Sequence, residues 1–279
     1  MATKKPTTKK PAATKAPVKK PTAAKTTKKP VAKKPAVRKT VEKPTADGNV
    51  GVTHEKVQLW EDGPYWATTN IGAEKPEDFG YYFWWGDTVG YRRENGAWVA
   101  TDGSSDDFSF ERSNTPTAFA IFNDDDDDDC DDDDDNDVGF ARLEGEGWIT
   151  SEGVLSPEHD AAHVQWGDGW RMPTQEELKK LVEKCVWTWK KVKGVDGFVV
   201  RGRGKYASAS IFLPAAADGC ETYFISAGYV GHYWSSVPRS SKYDHAWSLF
   251  FNDAKKIDAA DFSSRERGLA IRPVQGFTK

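Results

Sequence analysis

Lysine and proline recur so densely through the first 47 residues that this stretch cannot form a packed core. Units of two lysines and a proline repeat between Lys4 and Pro35, and no aromatic residue is present. Residues 1–44 carry fifteen basic side chains against one acid, Glu42; their net charge is +14, which leaves −18 for the remainder. Because like charges repel and little apolar surface offsets the chain entropy, we predict a disordered basic tail over 1–47, partly in polyproline II.

The composition of the tail is compatible with two functions. It can bind nucleic acid by releasing counterions, without base stacking, since it has no aromatic side chain. It can instead act as a spacer that attaches the chain to an anionic surface. Both functions predict binding that weakens as salt rises, so the sequence leaves them open.

Residues 48–279 have a different character, with short aromatic segments separated by glycine. This pattern predicts many strands joined by long loops. The segments that we expect to form strands are 57–60, 65–70, 81–87, 197–202, 209–214, 231–236, 245–251 and 268–274. In the segment 245–251 and just beyond it, alternation predicts that the odd-numbered residues from Trp247 to Phe251 face the core. The even-numbered residues from Ser248 to Asn252 then face outward.

One helix has clear sequence signals. Thr174 and Glu177 form the pattern of a capping box directly after a proline. Apolar residues at positions 178, 181, 182 and 185 then fall on one stripe of a helix, which predicts burial of that stripe, including Cys185. A second, weaker helix is predicted within 74–79.

Six segments of the chain resemble the Fibrobacter succinogenes major paralogous domain. This family is part of the C-type-lectin-fold group, which includes formylglycine-generating-enzyme-like proteins and the variable proteins of diversity-generating retroelements in phages and bacteria. The matching segments are Ala67–Gly72 (ATTNIG), Phe83–Asp87 (FWWGD), Asp160–Thr174 (DAAHVQWGDGWRMPT), Ser210–Pro214 (SIFLP), Gly231–Ser236 (GHYWSS) and Ile271–Val274 (IRPV).

The resemblance implies an α+β, C-type-lectin-like fold: a small twisted antiparallel sheet, two helices and long loops over residues 48–279. It also implies a ligand- or receptor-binding display protein whose C-terminal face, at 237–270, contacts a protein or a carbohydrate. Whether this face is diversified stays open at this point. Polar and aromatic side chains suit such an adaptable surface. The expected ligand-binding residues are Arg239, Lys242, Tyr243, His245, Ser248, Phe250, Asn252 and Arg267. Arg272 is expected to be a scaffold arginine in an ion pair, and Trp234 and Trp247 are expected in the core.

No catalytic residue or metal ligand is predicted, and we expect no enzyme. Formylglycine-generating enzymes need a cysteine pair near the C-terminal end of their fold, whereas Cys220 is the last cysteine here. A degenerate enzyme of that group therefore stays only as an alternative. His159 and His163 would share a helical face and could bind a metal, but residues 164–167 look like a strand. The calcium-dependent sugar-binding motifs of C-type lectins are absent.

An acidic run at about 123–138 interrupts the resemblance and is expected to be an inserted, solvated loop. Two further roles stay open for it: weak Ca²⁺ association through its carboxylates, and attraction of the basic tail. No other cofactor is expected. The sequence shows no membrane-spanning run and no secretory signal, so we expect synthesis in the cytoplasm. The final location, on a particle or a cell surface or elsewhere, stays open.

Overall fold

The computed structural model describes residues 53–104, 135–167, 169–220, 223–225, 227–239 and 245–276. The predicted tail lies outside these ranges, as does most of the acidic run, so both stay predictions. Cys130, Lys242 and Tyr243 also lie outside the described residues.

Fourteen strands and three α-helices make up the described chain. In chain order they are β1 Lys56–Gln58, β2 Tyr65–Ala67, β3 Tyr91–Glu94, β4 Ala97–Ala100, α1 Asp135–Gly145, α2 Ala161–Trp166, β5 Trp170–Arg171, α3 Gln175–Lys184, β6 Val186–Val192, β7 Val195–Arg201, β8 Ser210–Pro214, β9 Asp218–Cys220, β10 Tyr223–Ile225, β11 Val230–Pro238, β12 His245–Asn252, β13 Ile257–Ser264 and β14 Val274–Gln275. None of the helices seen here is long and apolar enough to cross a membrane.

The expected α+β, C-type-lectin-like fold is wrong. The structure is mostly β and 14% helical. Its strands form small antiparallel sheets in the orders β1-β2-β14-β5, β3-β4, β6-β7-β8, β9-β10 and β11-β12-β13. The physical reason lies in the glycine-separated segments, because most of them are long enough only for short strands, which form several small sheets in place of one.

Three hydrophobic clusters replace the single sheet-and-helix core that was expected. The largest joins α3 to the sheets β6-β7-β8 and β11-β12-β13, and includes Leu181, Phe198 and Phe251. The second gathers Trp85 and Trp234 with residues from loops and short helices. The third lies around the β3-β4 hairpin. Aromatic side chains from irregular segments therefore do much of the packing that helices would do in an α+β fold.

The prediction for α3 is confirmed. The Thr174 hydroxyl accepts a hydrogen bond from the backbone N–H of Glu177, and the Glu177 carboxylate accepts one from the N–H of Thr174. Leu178, Leu181 and Cys185 are buried. Arg171 holds Glu177 through two charge-assisted hydrogen bonds of 2.7 and 2.6 Å, which ties the start of the helix to β5.

Other expected elements differ. Residues 74–79 form turns, with the N–H of Lys75 bonded to the carboxylate of Asp78. The expected strand at 164–167 is wrong, because Asp160 caps the helix α2 there by accepting from the N–H groups of Ala162 and His163. Residues 81–87 contribute only isolated bridges, and 268–274 forms bridges before β14 begins.

The sheet β11-β12-β13 lies between two of the clusters. Tyr233, Leu249 and Phe251 belong to the first cluster, whereas Trp234 and Ala246 belong to the second. Because neighbouring residues of a strand point to opposite faces, both faces of the sheet pack against a core. Each face is buried at one end and half-exposed at the other. The candidate sites lie at these half-exposed ends.

Candidate functional site

A buried arginine fixes the scaffold beneath the sheet. Arg272 donates to the side-chain oxygen of Asn70 at 2.9 Å and to the carbonyl oxygens of Ala67, Thr68 and Phe212 at 3.2, 3.2 and 2.9 Å. The expectation that Arg272 is a scaffold residue is confirmed, but the expected ion pair is wrong, since all four acceptors are neutral. Burial lowers the pKa of Arg272 to about 10, which still leaves it charged at neutral pH.

A β-bulge between β12 and β13 shapes the first half-exposed area. Ser248 pairs with Asp261 and Phe250 pairs with Asp258, so two residues of β13 lie opposite one residue of β12. In a regular strand, residues 258 and 261 would point to opposite faces. The bulge turns both carboxylates to the same face, where Phe250 and Ser248 also lie.

The first area is a group of polar and aromatic side chains around His232. The His232 ring meets the Phe250 ring edge-on with 4.9 Å between centroids, and its Nδ1 lies 3.9 Å from Oδ2 of Asp261. The Ser248 hydroxyl donates to the same Asp261 oxygen at 3.3 Å. Nearby, Arg267 forms an ion pair with Asp218. We call these residues the His232 cluster: Asp218, His232, Ser248, Phe250, Asp261 and Arg267.

Burial in the His232 cluster shifts the pKa values of His232 and Asp261 towards their neutral forms. Burial lowers the pKa of His232, against the opposing effect of Asp218 and Asp261, and Arg267 lowers it further. Burial also raises the pKa of Asp261, against the effect of His232. The Nδ1 atom of His232 is buried and has no hydrogen-bond partner among the residues described. A ligand that supplies a hydrogen-bonding group could satisfy it.

The second area lies on the opposite face, at the other end of the sheet. The Arg239 guanidinium stands over the Phe262 ring at 3.6 Å and within 5.5 Å of the Trp247 ring. The His245 ring meets Phe262 at 5.4 Å. We call Arg239, His245, Trp247 and Phe262 the Arg239 cluster. The expectation that Trp247 lies in the core is wrong, since it is half-buried here, whereas Trp234 is fully buried as expected.

The structure divides the predicted ligand-binding residues between these two areas. Phe250 and Arg267 belong to the His232 cluster, and Asn252 lies on the same strand face, where its side chain accepts from the N–H of Lys256 at 3.1 Å. Arg239 and His245 belong to the Arg239 cluster. Ser248 is fully buried, so it supports Asp261 from below and offers no surface to a ligand.

Sequence reasoning missed several residues of these areas. His232 lies inside the GHYWSS segment, which was assigned to the scaffold, although the half-buried pattern of a strand allows alternate residues to be exposed. Asp261 and Phe262 lie within 237–270, but only the unseen bulge determines which way they point. No signal in the sequence linked Asp218 to Arg267, which are distant along the chain.

The candidate nucleophiles and the candidate metal-binding histidine of the described chain take part in scaffold contacts. Ser248 is buried and bonded to a carboxylate, so its hydroxyl cannot reach a substrate. Burial raises the pKa of Cys185 to about 12, which keeps this thiol protonated. His159 stacks on Trp148 at 3.8 Å, outside α2. Within the described ranges, no three His, Cys, Asp or Glu side chains are grouped so that they could hold a metal ion.

The comparisons with known proteins give no relative for this chain. No protein-family model matches its sequence, no curated protein matches it significantly, and no solved structure matches its fold significantly.

Proposed function

We propose that this chain is a binding protein that recognises a protein ligand through the His232 cluster. The observation that carries the proposal is the His232 ring beside the half-exposed Phe250 ring and the Asp261 carboxylate. Its buried Nδ1 atom has no hydrogen-bond partner among the described residues. Aromatic and arginine side chains dominate the energetics of protein interfaces. Both are present here, Phe250 on β12 and Arg267 in the turn that follows β13. A rigid sheet also lowers the entropy that a ligand must offset on binding.

The packing below the cluster supports this rigidity. The indole N–H of Trp234 donates to the carbonyl of Phe83 at 2.8 Å, and that of Trp85 donates to the carbonyl of Ser235 at 2.9 Å. The Tyr233 hydroxyl donates to the carbonyl of Pro214 at 2.7 Å. These bonds attach β11 to two separate segments, one at 83–85 and one at Pro214, so the cluster is held from two directions.

The test is a binding screen of the biotinylated full chain on an array of purified proteins, with a glycan array in parallel. Each hit is measured again with Phe250→Ala and Arg267→Ala. Arg201→Ala, an exposed arginine on β7 in another sheet, is the matched control. We expect each of the first two variants to weaken binding roughly tenfold or more, as truncation of an interface hot spot does. The control should bind like the parent chain.

Two outcomes would count against the proposal. Protein hits that tolerate both Phe250→Ala and Arg267→Ala would place recognition elsewhere. Hits on the glycan array alone, lost in the same variants, would replace the protein ligand by a carbohydrate at the same site.

A second candidate function is nucleic-acid association through the basic tail. The charge of +14 in residues 1–44 favours it. Deletion of residues 1–47 should then abolish retention on duplex DNA at low salt, and the array hits above should persist. Equal retention of the full and shortened chains would exclude the tail as the DNA-binding segment.

A further inference from the structure

We infer that the Arg239 cluster is an anion-recognition site, which binds a carboxylate or phosphate group of a ligand. The cluster lies on the opposite face of the sheet from the His232 cluster, and the inference does not depend on the function proposed there. It rests on the contacts of Arg239 and on how they differ from those of Arg171, Arg267 and Arg272.

Three other arginines of the described chain donate to oxygen atoms. Arg272 has four oxygen acceptors, Arg171 forms two hydrogen bonds to Glu177, and Arg267 pairs with Asp218. Arg239 instead contacts two aromatic rings, and its Nε atom is buried without a hydrogen-bond partner among the residues that the structure describes. Leaving a charged donor buried and unpaired is unfavourable, which favours an acceptor bound by the terminal N–H groups of the same guanidinium.

The geometry of the cluster prepares the guanidinium for such an acceptor. Phe262 lies below the guanidinium plane at 3.6 Å and Trp247 lies beside it at 5.5 Å, which limits its rotation. Arg239 is also fixed at the backbone, because its N–H donates to the carbonyl of His245 at 3.1 Å. A stacked guanidinium presents its N–H groups in a plane, and this fork matches the two oxygens of a carboxylate or a phosphate.

The charges around the cluster agree with an anion. The ion pairs of this sheet and its surroundings that the structure describes involve His232, Lys256 and Arg267, and leave Arg239 out. The His245 ring lies against the same Phe262 ring at 5.4 Å. Phe262 is 37% exposed, so a ligand can approach the cluster from solvent.

The test follows the Nε–Hε signal of Arg239 in the ¹⁵N-labelled full chain, assigned by its absence from Arg239→Lys. The chain is titrated with sodium acetate, with inorganic phosphate and with sodium chloride at equal ionic strength and pH. We expect a saturable shift of the Arg239 signal with acetate, phosphate or both. The anion that saturates identifies the source of the negative charge. Chloride should give only a small, non-saturating change.

Matched variants separate recognition from general screening. The Nε–Hε signal of Arg201, an exposed arginine in another sheet, should respond alike to all three salts. Phe262→Leu removes the stacked ring from an exposed position and should weaken the anion affinity roughly fivefold or more, because the guanidinium loses its fixed plane. Asp244→Asn removes the acid next to His245 in the sequence and is titrated in the same way.

The results are decisive in both directions. Saturation with acetate or phosphate in the parent chain or in Asp244→Asn, weakened by Phe262→Leu, supports the site. If the Arg239 signal responds no differently from the Arg201 signal, both in the parent chain and in Asp244→Asn, the anions act by ionic strength alone. The inference is then overturned. Array hits that depend on Phe250 and Arg267 would leave the proposed function standing in that case.

Discussion

Arg272 is the single residue on which most of the scaffold contacts converge. Replacing it with lysine keeps the charge but offers one ammonium group in place of a planar fork, so several of its four acceptors stay unsatisfied. We expect Arg272→Lys to lower the free energy of unfolding by about 3 kcal/mol, measured by urea denaturation. Arg142→Lys, in a solvent-exposed i,i+4 pair with Glu146, is the control and should cost less than about 0.5 kcal/mol. Equal losses would contradict this role for Arg272.

His232 should make stability depend on pH. Burial lowers its pKa below the usual 6.5, with Asp218 and Asp261 opposing the shift and Arg267 adding to it. A histidine whose pKa is lower in the folded state stabilises the fold above pH 6.5, and this contribution is lost as pH falls through the folded-state pKa. Asp261, whose pKa is raised, acts in the opposite sense: its contribution is present below pH 3.8 and is lost as pH rises through its folded-state pKa.

The measurement compares the melting temperatures of the parent chain and His232→Asn between pH 7.5 and 5.5. We expect the parent chain to lose more stability on acidification than the variant does. His54 and His159, whose pKa values burial also lowers, remain in both proteins and give a common background. Identical pH profiles would show that the pKa of His232 does not differ between the folded and unfolded states.

At the scale of single elements, the capping box of α3 gives a direct test. Thr174→Ala removes the acceptor for the N–H of Glu177 and should lower the free energy of unfolding by about 1 kcal/mol. Thr174→Ser keeps the hydroxyl and should restore most of the loss in a calorimetric measurement of unfolding. Because α3 packs against β11, β12 and β13, we expect loss of the cap also to destabilise the sheet that holds both clusters. Equal stability of the two variants would mean that the hydroxyl does not cap the helix.

Elements with several consistent signals could be predicted from the sequence, and elements set by distant contacts could not. The capping box and the apolar stripe agree for α3, and aromatic alternation located β11 and β12. The helix α2 is too short for a 3.6-residue period to show, so Val164-Gln165-Trp166 was taken for a strand. The bulge in β13 has no local signature, because it depends on how β12 and β13 pair.

At the scale of the whole molecule, apolar content indicated a folded domain but not how its layers would be arranged. Trp234 of the GHYWSS motif is buried as expected, whereas nothing in the FWWGD motif indicated that Trp84 and Trp85 would lie in separate clusters. The expectation of a C-type-lectin-like fold assumed one sheet flanked by helices. The prediction of one ligand-binding surface at 237–270 has the same weakness. In the structure its residues divide between the His232 cluster and the Arg239 cluster, on opposite faces of one sheet.

If the C-terminal region is diversified for binding, the sequence variation at each of its positions among related cells or particles should follow the exposure of that residue. Deep sequencing of codons 233–272 in a population measures it. A buried position tolerates few side chains because a change leaves a cavity or an overlap, whereas a half-exposed position of the His232 cluster tolerates many. We expect substitutions at Phe250, Asn252, Asp258, Asp261 and Arg267, and constancy at Ala246, Ser248, Leu249, Phe251 and Ala259. Residues 249–252 of β12 alternate between buried and half-exposed positions. Diversification for binding therefore predicts that every second residue of this stretch varies. Uniform codons would mean a fixed specificity, and equal variation at buried positions would contradict selection for a folded binding surface.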